Sequence, residues 1–295
     1  MRAVVVKEAG GPEVLRLEEV PDPQPGEGEV LVRVEAAGVN HIDLSRRAGG
    51  AGTFPVILGY DAAGRREDTG ERVLVTSTPG TYAELVVANA ANVFAIPDSL
   101  DSAAAAALGV PYNTAWWSLV DMGGLKKGDT LLVQGASTAT GQASVDVGRS
   151  LGATVYATSR PEKLDQVRAL GAEPLAYGDP KVREVNANVV FDPIGADTFA
   201  DSVEALAPEG TLVTPGAVGD PIVSFNLWSL LGKRARIQGI GSTQPSRETM
   251  ERLISLAGEG KLKPVIDREL PLAQAAEAHR AIAARETFGK VILRV

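Results

Sequence analysis

With 295 residues and a formal charge of −8, the chain allows one large domain or two of ordinary size; having no cysteine, it can form no disulfide. The acidic balance excludes broad binding to a phosphate backbone, so no nucleic acid is expected as a partner. No run of ~18 apolar residues occurs, so no membrane span is expected. The start, Met1-Arg2-Ala3-Val4-Val5-Val6-Lys7, is too short and too β-rich for a signal peptide; a cytoplasmic enzyme is the expectation.

The first part reads as β structure. Residues 3–6 and 14–18 alternate as short strands around Gly10-Gly11-Pro12, a hairpin signal, and residues 21–28 are a loop by their Pro and Gly content. Residues 30–35, 72–76, 82–87 and 93–96 follow as strands with the spacing of an all-β module. An alanine-rich helix runs from Asp101 to Leu108, with Asp98 or Ser99 as its cap. Two polar corners stand out. In Gly38-Val39-Asn40-His41-Ile42-Asp43, Asn40 and Asp43 either contact a ligand or form an Asx turn. In Gly59-Tyr60-Asp61, Tyr60 either hydrogen-bonds a carbonyl or packs at a strand end.

The second part alternates strand and helix. An apolar strand, Leu131-Leu132-Val133, passes through Gln134-Gly135-Ala136-Ser137-Thr138-Ala139-Thr140-Gly141 into a helix over residues 142–149. Such a turn offers free N–H groups and a positive helix end to a diphosphate. Strands are expected at residues 154–158, 174–177, 189–192, 211–214 and 235–239, and helices at 162–170, 197–206 and 247–259. That pitch predicts an α/β fold with a doubly wound parallel sheet whose ligands sit at the carboxyl ends of its strands. NAD binders place an acid after the second strand. Here the chain reads Thr158-Ser159-Arg160, with Lys163 a turn later, which suits the additional phosphate of NADPH; the other reading is a solvated helix start.

Several chemistries are disfavoured. Two histidines, His41 and His279, and no thiol make a poor zinc site, so no metal is expected. Tyr177 and Lys181 have the Tyr-x-x-x-Lys spacing, but Pro180 breaks the helix such a pair needs. Neither a nucleophile elbow nor a P-loop occurs. Hydride transfer, which needs only a held nicotinamide and an acceptor in a water-poor site, remains.

The order of these pieces resembles the medium-chain dehydrogenase/reductase superfamily, within it the zinc-free quinone oxidoreductases related to zeta-crystallin. The likeness covers nearly the whole chain. Its carriers include Ala37-Gly38-Val39-Asn40-His41-Ile42-Asp43, Pro55-Val56-Ile57-Leu58-Gly59-Tyr60-Asp61, Lys127-Gly128-Asp129-Thr130, Phe191-Asp192-Pro193-Ile194-Gly195 and Gly289-Lys290-Val291-Ile292-Leu293. The resemblance implies a GroES-like catalytic domain of residues 1–112 and 268–295, with a Rossmann domain of residues 113–267 inserted. Asn40 maps to the family's cleft asparagine, and Tyr60 stands where zinc relatives place a histidine. Thr114 maps to the nicotinamide ribose, and Ser159, Arg160, Lys163 and Tyr177 to the adenosine phosphate. Gly216, Ala217, Ile240 and Gly241 map to the nicotinamide end, and a homodimer through the sixth strand is implied. Two departures stand out: Thr138 replaces a turn glycine, and residues 62–72 are shorter than the family's passage by about a hairpin.

The leading expectation is an NADPH-dependent reductase of a quinone or an α,β-unsaturated carbonyl, using Asn40 and Tyr60. The enzyme alternative is an enoyl-thioester reductase, disfavoured because the loop over residues 45–54 lacks a tyrosine. The other class is a non-catalytic nucleotide-binding or scaffold protein, for which Thr138 is the support.

Overall fold

The computed structural model describes residues 1–50, 52–241 and 246–295. The chain divides into two compact units, Met1–Val110 with Gln244–Val295, and Pro111–Thr243. In chain order the first unit holds β1 (Arg2–Val6), β2 (Arg16–Glu19), β3 (Glu29–Val39), α1 (His41–Arg47), β4 (Val56–Ile57), β5 (Asp61–Arg66), β6 (Arg72–Val75), β7 (Leu85–Asn89) and β8 (Val93–Ala95). A kinked helix, α2 (Ser102–Trp116), leads on to the second unit. There follow β9 (Thr130–Val133), α3 (Ala139–Ser150), β10 (Thr154–Ser159), α4 (Leu164–Ala169), β11 (Glu173–Ala176), β12 (Ala187–Phe191), α5 (Ala196–Glu204), β13 (Leu206–Thr214), α6 (Leu227–Lys233) and β14 (Arg236–Gly239). The chain then returns to the first unit with α7 (Arg247–Gly258), β15 (Ile266–Pro271), α8 (Ala275–Ala283) and β16 (Lys290–Arg294).

The first unit is the GroES-like sheet domain. Its larger sheet runs β15-β16-β3-β5-β6-β8, with β7 also on β3. Val30, Val32 and Val34 alternate inward along β3 and join Val4, Leu58, Val73, Val291 and Leu293 in one apolar core. The C-terminal strand β16 lies antiparallel to β3, with Val291 opposite Val39 and Ile292 opposite Gly38. Continuing that register puts Lys290 across from Asn40. On the other side of β3, Gly38 faces Asp61 of β5. Three polar residues from distant parts of the chain therefore meet at one sheet end.

The second unit is Rossmann-like: six strands in the order β11-β10-β9-β12-β13-β14, all parallel. The order reverses between β9 and β12, where such sheets leave a crevice at their carboxyl ends.

Three expectations need correction. The helix expected after Asp98 or Ser99 is capped by Asp101, whose Oδ1 accepts from Ala104 N at 2.8 Å. The second boundary falls at 243/244 rather than 267/268, because α7 belongs with the first unit. Gly258 O accepts from Ser99 Oγ, and Arg247 donates to Ala90 O while its guanidinium lies 5.0 Å from the Phe94 ring centroid. The helix expected over 162–170 begins as a tight 3-10 turn, Pro161–Lys163, and becomes α-helical only from Leu164.

Candidate active site

The turn between β9 and α3 is built for close approach. Gly135 has φ +76°, a left-handed conformation that a side chain would strain. Gly141 lies so near β9 that a Cβ there would stand 2.2 Å from Gly135 O. Thr138 is the N-cap of α3: its Oγ1 accepts from Gly141 N and donates to Gly135 O, both at 3.0 Å. The threonine that departs from the glycine pattern thus spends its hydroxyl on the helix end. Among the described residues, the N–H groups of Ser137, Ala139 and Thr140 have no backbone partner. These donors can hold an anion.

Behind the turn, a buried polar chain ties three strand ends together. Thr158 Oγ1 accepts from Gly135 N and donates to Gln134 Oε1; Gln134 Nε2 donates to Ser202 Oγ; Ser202 Oγ donates to Asp192 Oδ2. Asp192 also accepts from Ile194 N, Gly195 N and Thr198 Oγ1. Burial pushes its carboxyl above the ordinary range, against those hydrogen bonds. The network fixes the ends of β9, β10 and β12.

At the end of β10, Ser159 Oγ is buried and has no hydrogen-bond partner among the described residues. Arg160, next to it, is half-buried, and its guanidinium is 4.0 Å from Glu162. Lys163 is buried, whereas Tyr177 is exposed, with its backbone N–H on Ser159 O. Its hydroxyl stands beside Gly135. Thr114 is half-buried on α2. Gly216 and Ala217 follow β13, exposed, with Ala217 against Gly195; Ile240 N donates to Thr214 O, and Gly241 is exposed beyond β14.

In the first unit, Asn40 is turned inward. Its Oδ1 accepts from Lys290 Nζ at 2.5 Å, and its Nδ2 donates to Asp61 Oδ2 at 2.8 Å. Lys290 Nζ is also 3.3 Å from Asp61 Oδ2. Thr76 Oγ1 and Val110 N complete the donors on Asp61. Burial holds the Lys290 ammonium below its usual range, opposed by Asp61 and Asp43. Gly38 makes room: a Cβ there would meet Lys290 Cε at 2.6 Å. Beside this group, the Asp43 carboxylate accepts from Asn40 N, Gly59 N and Tyr82 Oη. Burial pushes its pKa up to about 6. His279 Nε2 is 3.4 Å from Tyr82 Oη, and its Nδ1 faces Arg47 Nη1 at 3.2 Å. Since Arg47 can only donate, Nδ1 accepts and the imidazole carries its proton on Nε2. Burial, then the Arg47 charge, pushes His279 down to about 3.

Tyr60 is half-buried, and its hydroxyl accepts from Arg46 Nη1. Of the expected catalytic pair, then, Tyr60 keeps a donor to offer, while both amide atoms of Asn40 are committed. Sequence reasoning weighed His279 only as a zinc ligand and Lys290 only as part of a family motif, and passed over Tyr82 and Arg46. The register of β16 on β3 is the signal for Lys290; the other three show only in three dimensions.

The two units, a GroES-like sheet domain and a six-stranded parallel Rossmann-like domain, define a dehydrogenase/reductase of the medium-chain type. Residues 26–98 match the family model for the alcohol dehydrogenase GroES-like domain, and residues 170–293 that for zinc-binding dehydrogenase. Quinone oxidoreductase of Pseudomonas aeruginosa is 32% identical, with 96% of each chain covered, and that of Lama guanicoe 30%, over 99% of this chain and 97% of the other. Among solved structures, an NAD-dependent alcohol dehydrogenase superposes with a TM-score of 0.94 at 32% identity, and a mycobacterial protein complexed with NADPH with 0.90 at 31%; both comparisons cover 100% of each chain. The chain belongs to the zinc-free quinone oxidoreductase family of the medium-chain dehydrogenases/reductases. Despite the name of the second family model, no three His, Cys, Asp or Glu side chains stand together as metal ligands among the described residues. No helix among them is long and apolar enough to cross a membrane.

Proposed function

We propose that this protein is an NADPH-dependent reductase that delivers hydride to a quinone or an α,β-unsaturated carbonyl. The observation that carries the reading is the end of β10, where a buried, unpartnered Ser159 Oγ adjoins the Arg160 guanidinium and no acid follows the strand directly. That donor set fits a phosphate on the adenosine ribose, and no carboxylate stands directly after the strand, where one would accept from a free 2′-hydroxyl. The N–H groups of Ser137, Ala139 and Thr140 hold the diphosphate, Arg160, Lys163 and Tyr177 flank the adenosine phosphate, and Thr114 takes the ribose. Backbone at Gly216, Ala217, Ile240 and Gly241 lines the nicotinamide end. When bound, the nicotinamide supplies the hydride. Tyr60 donates to the acceptor oxygen, and Asn40, locked by Lys290 and Asp61, positions the start of α1. The quinone oxidoreductase relatives and the NADPH-bound neighbour support this assignment.

Steady-state kinetics with NADPH and NADH over a panel of quinones and enones tests it. Arg160→Ala is expected to lower the NADPH-over-NADH preference about tenfold, the value of one charge-assisted contact. A wild-type enzyme that prefers NADH refutes the cofactor assignment. A non-catalytic nucleotide-binding protein is the second reading, favoured by Thr138 occupying the Gly141 N–H; tight NADPH binding without turnover of any acceptor selects it.

The reading extends to a homodimer through β14. That strand ends the six-stranded order, and Ile222 and Trp228 nearby in sequence are each 78% exposed, with Leu227 and Leu231 also exposed.

A further inference from the structure

Arg46 on α1 and Tyr60 in the turn before β5 form a pair whose donors are not spent. Arg46 Nη1 donates to the Tyr60 hydroxyl, and the guanidinium carbon lies 5.5 Å from the ring centroid. Because the phenol oxygen accepts from Arg46, its own O–H is left to donate, and it meets no acceptor among the described residues. Nor does Arg46 have a carboxylate within ion-pair distance among them. Three other arginines of this unit are matched by carboxylates, Arg33 by Glu67, Arg65 by Glu35 and Arg66 by Asp68, while Arg47 is answered by Gly10 O and His279. The chain has 37 acidic side chains against 29 Lys and Arg, so an unmatched guanidinium does not reflect a shortage of acids. Arg46 is half-buried, and a cation partly withdrawn from water without a counterion carries a desolvation cost that a bound anion would offset.

We propose that Arg46 and Tyr60 form a subsite for a fixed oxyanion, of the carboxylate type, on the acceptor, so that this enzyme prefers quinones or enones bearing a negative charge. One carboxylate oxygen accepts from the remaining guanidinium N–H groups and the other from the Tyr60 O–H, which with such an acceptor is spent on the carboxylate and not on the oxygen being reduced; a neutral ester cannot match this two-point contact. With a net charge of −8, the molecule repels anions at long range, and the local cation is what admits one. Calling the ligand an acceptor rests on the reductase reading above; the anion subsite rests on the Arg46–Tyr60 geometry.

The test separates the two. Calorimetric titration of benzoylpropionate and of its methyl ester into the full chain, without nucleotide, probes the subsite with ligands that have no reducible C=C bond. The acid is expected to bind about tenfold more tightly than the ester, and Arg46→Gln or Tyr60→Phe to erase that difference while the melting temperature holds. With NADPH and the unsaturated pair, benzoylacrylate and its methyl ester, Arg46→Gln is expected to raise the acid-to-ester KM ratio about tenfold. Equal binding of acid and ester by the wild type, or discrimination that survives Arg46→Gln, overturns the proposal. Arg46-dependent binding of the acid with no turnover of either acceptor supports the subsite and sinks the reductase reading instead.

Discussion

The buried chain His279–Tyr82–Asp43 holds two groups whose protonation should pull stability in opposite directions. Asp43 is raised to about 6 by burial, above its unfolded value near 3.9. Its favourable contribution is therefore complete below about pH 4 and is lost as the pH rises through 6. His279 is lowered to about 3 by burial and Arg47, below its unfolded value near 6.5. Its contribution is complete above about pH 6.5 and is lost as the pH falls toward 3. Between pH 4 and 6 each group changes the unfolding free energy by at most about 1.4 kcal/mol per pH unit, with opposite sign, so the pair nearly cancels. Asp43→Asn removes one arm. Relative to wild type, its stability should climb by about 2 kcal/mol from pH 4 to 6, and that of His279→Gln should drop by a similar amount. Lost hydrogen bonds shift each curve bodily and leave its slope. Urea unfolding followed by circular dichroism is the assay, since Trp116, Trp117 and Trp228 all lie in the other unit and tryptophan fluorescence would report on that one. Variant-minus-wild-type differences that stay constant across this range refute the reasoning.

Gly141→Ala would drive a methyl group to 2.2 Å from Gly135 O; a loss of about 3 kcal/mol in the second unit, read from tryptophan fluorescence in urea, is expected. Thr138→Gly removes a helix cap at a cost of a few tenths of a kcal/mol and frees the Gly141 N–H, so NADPH should bind severalfold more tightly by calorimetry; unchanged affinity would show that the cap does not compete with the ligand. Trp228→Glu places a charge among the exposed apolar side chains of α6 and, on the homodimer reading, should give a monomer where the wild type is a dimer in sedimentation velocity. An unaltered dimer would move the interface elsewhere.

The parallel sheet was readable because strands such as β9 and β12 are short apolar runs, and Gly135 and Gly195 in the turns after them, like Gly171 after α4, take a positive φ. Long-range allegiance was harder. The periodicity of α7 marks a helix with Met250, Leu253 and Ile254 inward, but an apolar stripe does not say which core will receive it. Its place was decided by Arg247 and Gly258 bonding to residues some 160 positions earlier. Helices α1, α6 and α8 were missed; in α6 none of the residues is buried, so its apolar side chains follow no inward stripe.

The site divides along the same line, and the reason is electrostatic. Asn40 and Tyr60 were singled out because polar residues after strand ends often face ligands, yet such residues face inward when the core supplies a partner. For Asn40 the partner is Lys290, 250 positions away and buried against Asp61. A lysine in Gly289-Lys290-Val291 gives no local sign of that. Its ammonium is tolerable in the interior only because Asn40 and Asp61 answer it, and Asn40 is held there by the same necessity. Among the described residues Tyr60 has no buried hydrogen-bond partner and meets Arg46 instead. What the chain can offer a ligand is thus set by which polar groups its interior leaves over, and that remainder is defined only once the β3–β16 register has closed.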